Sequence, residues 1–167
     1  MRAPSGTSIS GKWLKAFQLI VIYVFGIGLC ACQTAPELEH MNIIEKFEYH
    51  FDRGEWDHAL PAIEEIVSKQ EGYSTSWYNY GVVLNNLERY GDAATAFKRA
   101  YQLGPEDYSL QYQVFHNLAL AGDAGQFALF AAEELEKMPE LSELIESDEN
   151  FKLMTESVEY KKVVESL

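Results

Sequence analysis

The sequence predicts an all-α chain, an α-solenoid of about three helix–turn–helix units stacked side by side and closed by a short C-terminal helical cap. Three observations carry that expectation. Within residues 74–107, Trp77, Tyr80, Gly81 and Leu84 recur at three- and four-residue spacing and draw one apolar stripe, while Ala93, Phe97, Ala100 and Tyr101 draw a second. Punctuating residues return at a fixed interval, Pro139 falling 34 residues after Pro105 and Gly122 falling 68 after Gly54. From Glu140 onward the pattern changes, as a chain does where stacking ends.

The central unit shows why the stripes imply a hairpin. Two helices joined by a short turn approach closely only where a side chain is small, and Gly81 with Ala93 supplies that low ground for the bulk of Trp77 and Phe97. Leu103-Gly104-Pro105 ends the second helix, because Gly suits the position past a helix end and Pro cannot continue the ladder. With Ser74 as the first position, Trp77, Gly81, Ala93, Phe97, Ala100 and Pro105 stand at the Trp, Gly, Ala, Phe, Ala and Pro places of a 34-residue pattern, and the stretch resembles a tetratricopeptide repeat. Two places depart from that pattern: Tyr80 and Leu84 stand where the family has Leu and Tyr.

The same interval places a unit at residues 40–73, where Ala59 takes the small position, Ile63 the bulky one, Ile66 the next and Gly54 the turn. Phe47 stands there in place of the Gly and Ile43 in place of the Trp. A third unit, residues 108–141, exchanges the pair, with Phe127 at the small position and Ala131 at the bulky one, which keeps the summed volume. Three units are about the minimum for a stacked array to bury its faces. The cap, residues 142–167, is expected to hold two short helices opened by Asp148 and Ser157 and burying Phe151, Met154, Tyr160, Val163 and Val164. A solenoid needs such a closing segment over its apolar end, and this one resembles the segment found after terminal repeats in bacterial tetratricopeptide proteins.

The front of the chain reads as an address. Residues 1–15 carry Arg2, Lys12 and Lys15 and no acid, and residues 16–31 are almost wholly apolar, which is the pattern of a signal peptide. Leu29-Cys30-Ala31-Cys32 resembles a bacterial lipobox. That resemblance implies cleavage after residue 31, lipidation of Cys32, a tether over residues 32–39 and, with Gln33 after the Cys, the periplasmic face of an outer membrane. An uncleaved anchor with Cys30 and Cys32 as plain thiols is the alternative, since the apolar run just reaches across a thin bilayer. A Cys-x-Cys metal site lacks further ligands near in sequence.

Charge narrows the partners. The chain has 13 basic and 26 acidic residues for a net −13, and all the acids lie beyond residue 31. A body this acidic is a poor binder of nucleic acid, whose phosphates need Lys and Arg. No motif asks to be read as catalytic: there is no P-loop, G-x-S-x-G or H-E-x-x-H, and no cofactor is expected. Of the four histidines, His50 and His58 flank the turn at Gly54 with Asp52 and Asp57 beside them, and the expectation is solvated side chains, with no metal site. Adjacent carboxylates such as Glu133-Glu134 point in different directions on a helix and make no acid–base pair.

The family resemblance implies a groove lined by the first helix of each unit. Carried onto this chain, its positions are Met41, Ile44, Glu48, Phe51 and Asp52, then Thr75, Tyr78, Val82, Asn85 and Asn86, then Ser109, Tyr112, His116, Ala119 and Leu120. Tyr78 and Tyr112 hold the same place in successive units and are expected to form an aromatic ladder with Phe51 nearby. The carboxylate clamp of the chaperone-tail version is not kept, because Ile44, Glu48, Asn79, Ser109 and Gln113 stand at its places and only Asn79 agrees. The expected role is a non-catalytic, membrane-anchored scaffold of the cell envelope that holds an apolar or mildly basic segment of another envelope protein. The alternative is an assembly or stabilising subunit of a pilus, secretion or outer-membrane machine, binding through edges and cap.

Overall fold

The computed structural model describes residues 38–104 and 107–167 and divides the chain into two units, residues 1–40 and 41–167. Of the first unit only a single 3-10 turn, Leu38–His40, is described. The leader, Cys32 and nearly all of the expected tether lie outside the described residues. Among the described residues no helix is long and apolar enough to cross a membrane.

Among its described residues the second unit is built of helices joined by turns, with no strand. Its first hairpin pairs α1 (Ile43–Phe51) with α2 (Trp56–Lys69), the second α3 (Ser74–Asn86) with α4 (Tyr90–Leu103), and the third α5 (Tyr108–Ala121) with α6 (Ala124–Leu135). The second helices begin at Trp56, Tyr90 and Ala124, so the 34-residue interval is kept in space as well as in sequence. It is kept in the turns too: Gly54, Glu88 and Gly122 have φ of 67°, 59° and 69°, one left-handed residue per hairpin. Gly accepts that backbone freely and Glu88 does so under strain.

The first hairpin starts late. Asn42 accepts hydrogen bonds from the amides of Ile44 and Glu45 while Glu45 accepts one from the amide of Asn42, a capping box that opens the helix at Ile43. Met41, expected on this helix, therefore precedes it.

Packing follows one rule in two forms. In the second hairpin a Cβ added to Gly81 would lie 2.8 Å from the Phe97 ring, so the ring occupies the space that Gly leaves. One interval later the sizes invert, with Phe115 in the place of Gly81 and Ala131 in the place of Phe97. Both are buried, and α5 and α6 meet through rings, Phe115 standing 5.0 Å from Phe127 and 4.7 Å from Phe130. Between hairpins, Ser74 Oγ donates to the Ala100 carbonyl at 2.8 Å, and Asn85 Nδ2 donates to Oδ1 of the fully buried Asn117 at 2.7 Å.

The cap is more than two helices. After α7 (Leu141–Ser147) comes a 3-10 turn, Glu149–Phe151, that runs into α8 (Lys152–Thr155), followed by α9 (Val158–Ser166). Asp148 and Ser157 cap as expected, accepting from the amides of Asn150 and Tyr160. Phe151, Met154 and Tyr160 are buried and extend the core of the third hairpin through Phe127, which lies 5.5 Å from Phe151 and 6.1 Å from Tyr160. Val164 is a correction: it is 36% exposed, because α9 lies along α6 with Tyr160 and the half-buried Val163 turned inward. The added helix α7 buries Leu141 and Ile145, a stripe at four-residue spacing.

Candidate functional site

The first helices of the hairpins, α1, α3 and α5, carry the predicted binding residues. Of these, Ile44, Glu48, Tyr78 and Tyr112 are exposed and Phe51, Val82, Asn85 and His116 are half-buried. The structure places Ile44, Glu48 and Phe51 in one cleft and Tyr112 in a second, and leaves Tyr78, Val82, Asn85 and His116 outside both.

The first cleft, about 240 Å³, lies between the first two hairpins. Ile44, Glu48, Phe51 and Asp52 of the first hairpin meet Thr75, Ser76 and Asn79 of α3 there. Its floor is the side of Phe47, Ile63 and Ile66, all buried. Phe51 is fixed by its own hairpin, packing 5.0 Å from Phe47 and edge-on to Trp56 at 5.4 Å.

The second cleft, about 330 Å³, lies between α5 and the cap. Tyr108, Tyr112 and Phe115 form one wall and Leu141, Leu144, Ile145 and Phe151 the other, with Asp148 at the rim. Tyr108 and Leu144 are 69% and 63% exposed, so this apolar surface is open to a partner. Tyr112 lies nearly parallel to His116 at 5.7 Å and 5.5 Å from Phe151, and Asn150 Nδ2 approaches its hydroxyl at 3.4 Å. Burial, with the neighbouring Asp148 charge, pushes the Tyr112 hydroxyl pKa up, so it stays a neutral donor.

The expected aromatic ladder is not formed. Tyr78 packs on Phe97 of its own hairpin at 5.7 Å, and Tyr112 leans on the cap, so each tyrosine is supported locally. Asn85 is committed to Asn117 and joins neighbouring hairpins. His116 lies under Tyr112, and its Nδ1 is buried without a hydrogen-bond partner among the described residues. Sequence reasoning missed the cap wall. Its signal was present as Leu141, Leu144 and Ile145, a three- and four-residue stripe, and as Tyr108, one turn ahead of Tyr112.

The electrostatics of the two clefts agree. Their charged lining residues are Glu48, Asp52 and Asp148, and among the described residues no Lys or Arg lines either one. A third cleft, about 310 Å³ and bordered by α4, α5 and α6, includes Lys98, but that ammonium is paired with Glu133 at 2.9 Å. Among the described residues, the one cluster with metal-ligand character is His50, Glu55 and His58 at the first turn, in place of the Asp52 and Asp57 that the sequence put beside the histidines.

Residues 44–108 match the tetratricopeptide repeat family. The match spans the first two hairpins to the first residue of α5, and the third hairpin continues their interval beyond it. No curated protein matches the chain. Hairpins of this type stacked in series make a tetratricopeptide-type α-solenoid, an architecture that serves protein–protein interaction and is generally without catalysis.

Proposed function

We propose that this chain is a non-catalytic scaffold of the bacterial cell envelope, tethered to the membrane by lipid on Cys32, that captures an extended or helical segment of another envelope protein. The segment lies along α1, α3 and α5 and ends in the cleft between α5 and the cap. One observation carries the reading: both clefts combine apolar walls with acidic side chains, and among the described residues no Lys or Arg lines them. Such a surface favours an apolar segment with Lys or Arg beside it and repels an acidic tail. Tyrosine suits the central positions, giving large contact area and a hydrogen bond for little lost entropy.

Replacing Tyr78 and Tyr112 together by Ala is expected to abolish partner capture with helix content unchanged, and undiminished capture would refute the groove. The tether is tested separately. Cys32→Ala should move the protein from the membrane fraction to the soluble one, and an unchanged distribution would favour an uncleaved anchor.

A second reading, attachment through edges and cap, is favoured by Leu153 and Val158, which are 78% and 62% exposed on a segment whose outer face should be polar. It predicts capture that survives loss of both tyrosines and fails with Leu153→Asp.

A further inference from the structure

We infer that the turn of the first hairpin is a binding site for a divalent transition metal of the Zn²⁺ type, held by His50, Glu55 and His58. One ligand atom from each of the three lies within 4.8 Å of the others. The rings of His50 and His58 are nearly parallel, 22° apart with centroids at 5.2 Å, and His50 Nδ1 is 2.7 Å from Glu55 Oε2. Glu55 and His58 are exposed, so their side chains are free of the packing that holds a core residue in place. Two imidazoles and a carboxylate form a donor set that suits Zn²⁺ and leaves a fourth position for water or a partner's ligand. Ca²⁺ and Mg²⁺ want more oxygens than the turn offers.

The backbone fixes the geometry beforehand. The amide of Glu55 donates to the His50 carbonyl and the amide of His58 donates to the Glu55 carbonyl, each at 3.0 Å, across the left-handed Gly54. Arg53, the one cation inside the turn, is directed to Tyr49, donating to its carbonyl at 2.7 Å with the guanidinium 3.6 Å from the ring centre.

Packing alone does not account for His50. The equivalent residues of the next two hairpins are Leu84 and Leu118, both buried, and the interval that places Leu there places a half-buried imidazole here. The counterparts of Glu55 and His58 serve the turn instead, Arg89 pairing with Asp92 at 2.7 Å and Asp123 accepting from the Gln126 amide at 2.9 Å. The three-ligand set belongs to the first hairpin only.

The test is calorimetric titration of Zn²⁺ into the full chain in detergent, with Cys30→Ser and Cys32→Ser introduced so that the thiols take no metal. We expect saturable binding of one ion per chain, weakened about tenfold or more by His58→Ala and by Glu55→Gln, side chains exposed enough for both variants to keep their helix content. Mg²⁺ should not compete. Absence of saturable binding at millimolar Zn²⁺ would overturn the proposal, and so would binding that both variants retain at full strength.

Discussion

Glu134 is a carboxylate in a place shaped for a methyl group: the equivalent residue one interval earlier is Ala100, and both are buried. Three donors make the substitution tolerable. Tyr101 Oη donates to it at 2.8 Å, Gln111 Nε2 at 2.7 Å and Lys137 Nζ at 2.8 Å. Burial pushes the Glu134 carboxyl up, but the hydrogen bonds from Lys137, Tyr101 and Gln111 outweigh it and hold the pKa below the ordinary value of 4.5. A depressed folded-state value means a stability contribution present above about pH 4.5 and lost as pH falls through the folded value. Glu134→Ala should therefore cost roughly 2 kcal/mol in urea unfolding near neutral pH, since it strands the side-chain amide of the buried Gln111. The advantage of the native chain over Glu134→Gln should shrink on acidification, and a pH-independent difference would contradict the assignment. Adjacency to Glu133 was legible in the sequence, and the two carboxylates do point apart, Glu133 reaching Lys98 at 2.9 Å. Burial of Glu134 was not legible, because its partners Tyr101 and Gln111 lie 33 and 23 residues away.

At the scale of the element, the hairpin depends on where small residues and left-handed residues fall. Gly81→Ala should destabilise by about 1–2 kcal/mol despite the better helix propensity of Ala, because the new methyl meets the Phe97 ring at 2.8 Å. Gly91→Ala meets nothing within 4 Å and should stabilise by roughly 0.5 kcal/mol. Thermal unfolding of the two variants must move in opposite directions. Equal shifts would show that the close approach at Gly81 does not constrain the pair. Glu88 supplies a second test: at φ 59° it occupies the position held elsewhere by Gly54 and Gly122, and Glu88→Gly should stabilise by about 1 kcal/mol. The interval and the turns at Gly54 and Gly122 could be read from spacing alone. The middle turn could not, because Glu88 carries no signal for a left-handed backbone, and the late start of α1 followed from a local capping box that a 34-residue rule ignores.

At the scale of the whole molecule, the described part of residues 41–167 is a row of hairpins whose second helices hold the interval and whose first helices carry the candidate binding residues. The fold class was readable because apolar stripes and turn residues return at one interval, even where single sizes change, as at Phe47, Phe115, Phe127 and Ala131. The candidate binding face was readable only in part. Ile44, Glu48 and Phe51 do converge in a cleft, and Tyr112 lines another, yet the wall opposite Tyr112 comes from α7 and the 3-10 turn of the cap, which obey no repeat. The first turn was read as two solvated histidines, and its third donor, Glu55, emerged only when the hairpin closed. The measurement closest to the central claim is photo-crosslinking in whole cells, with a probe placed in turn at Ile44, Tyr78, Tyr112, Leu129 and Leu153. The groove account predicts one common partner attached at Ile44, Tyr78 and Tyr112 and none at Leu129, which is 56% exposed on α6. Crosslinks confined to Leu129 or Leu153, with none from the three groove positions, would contradict it.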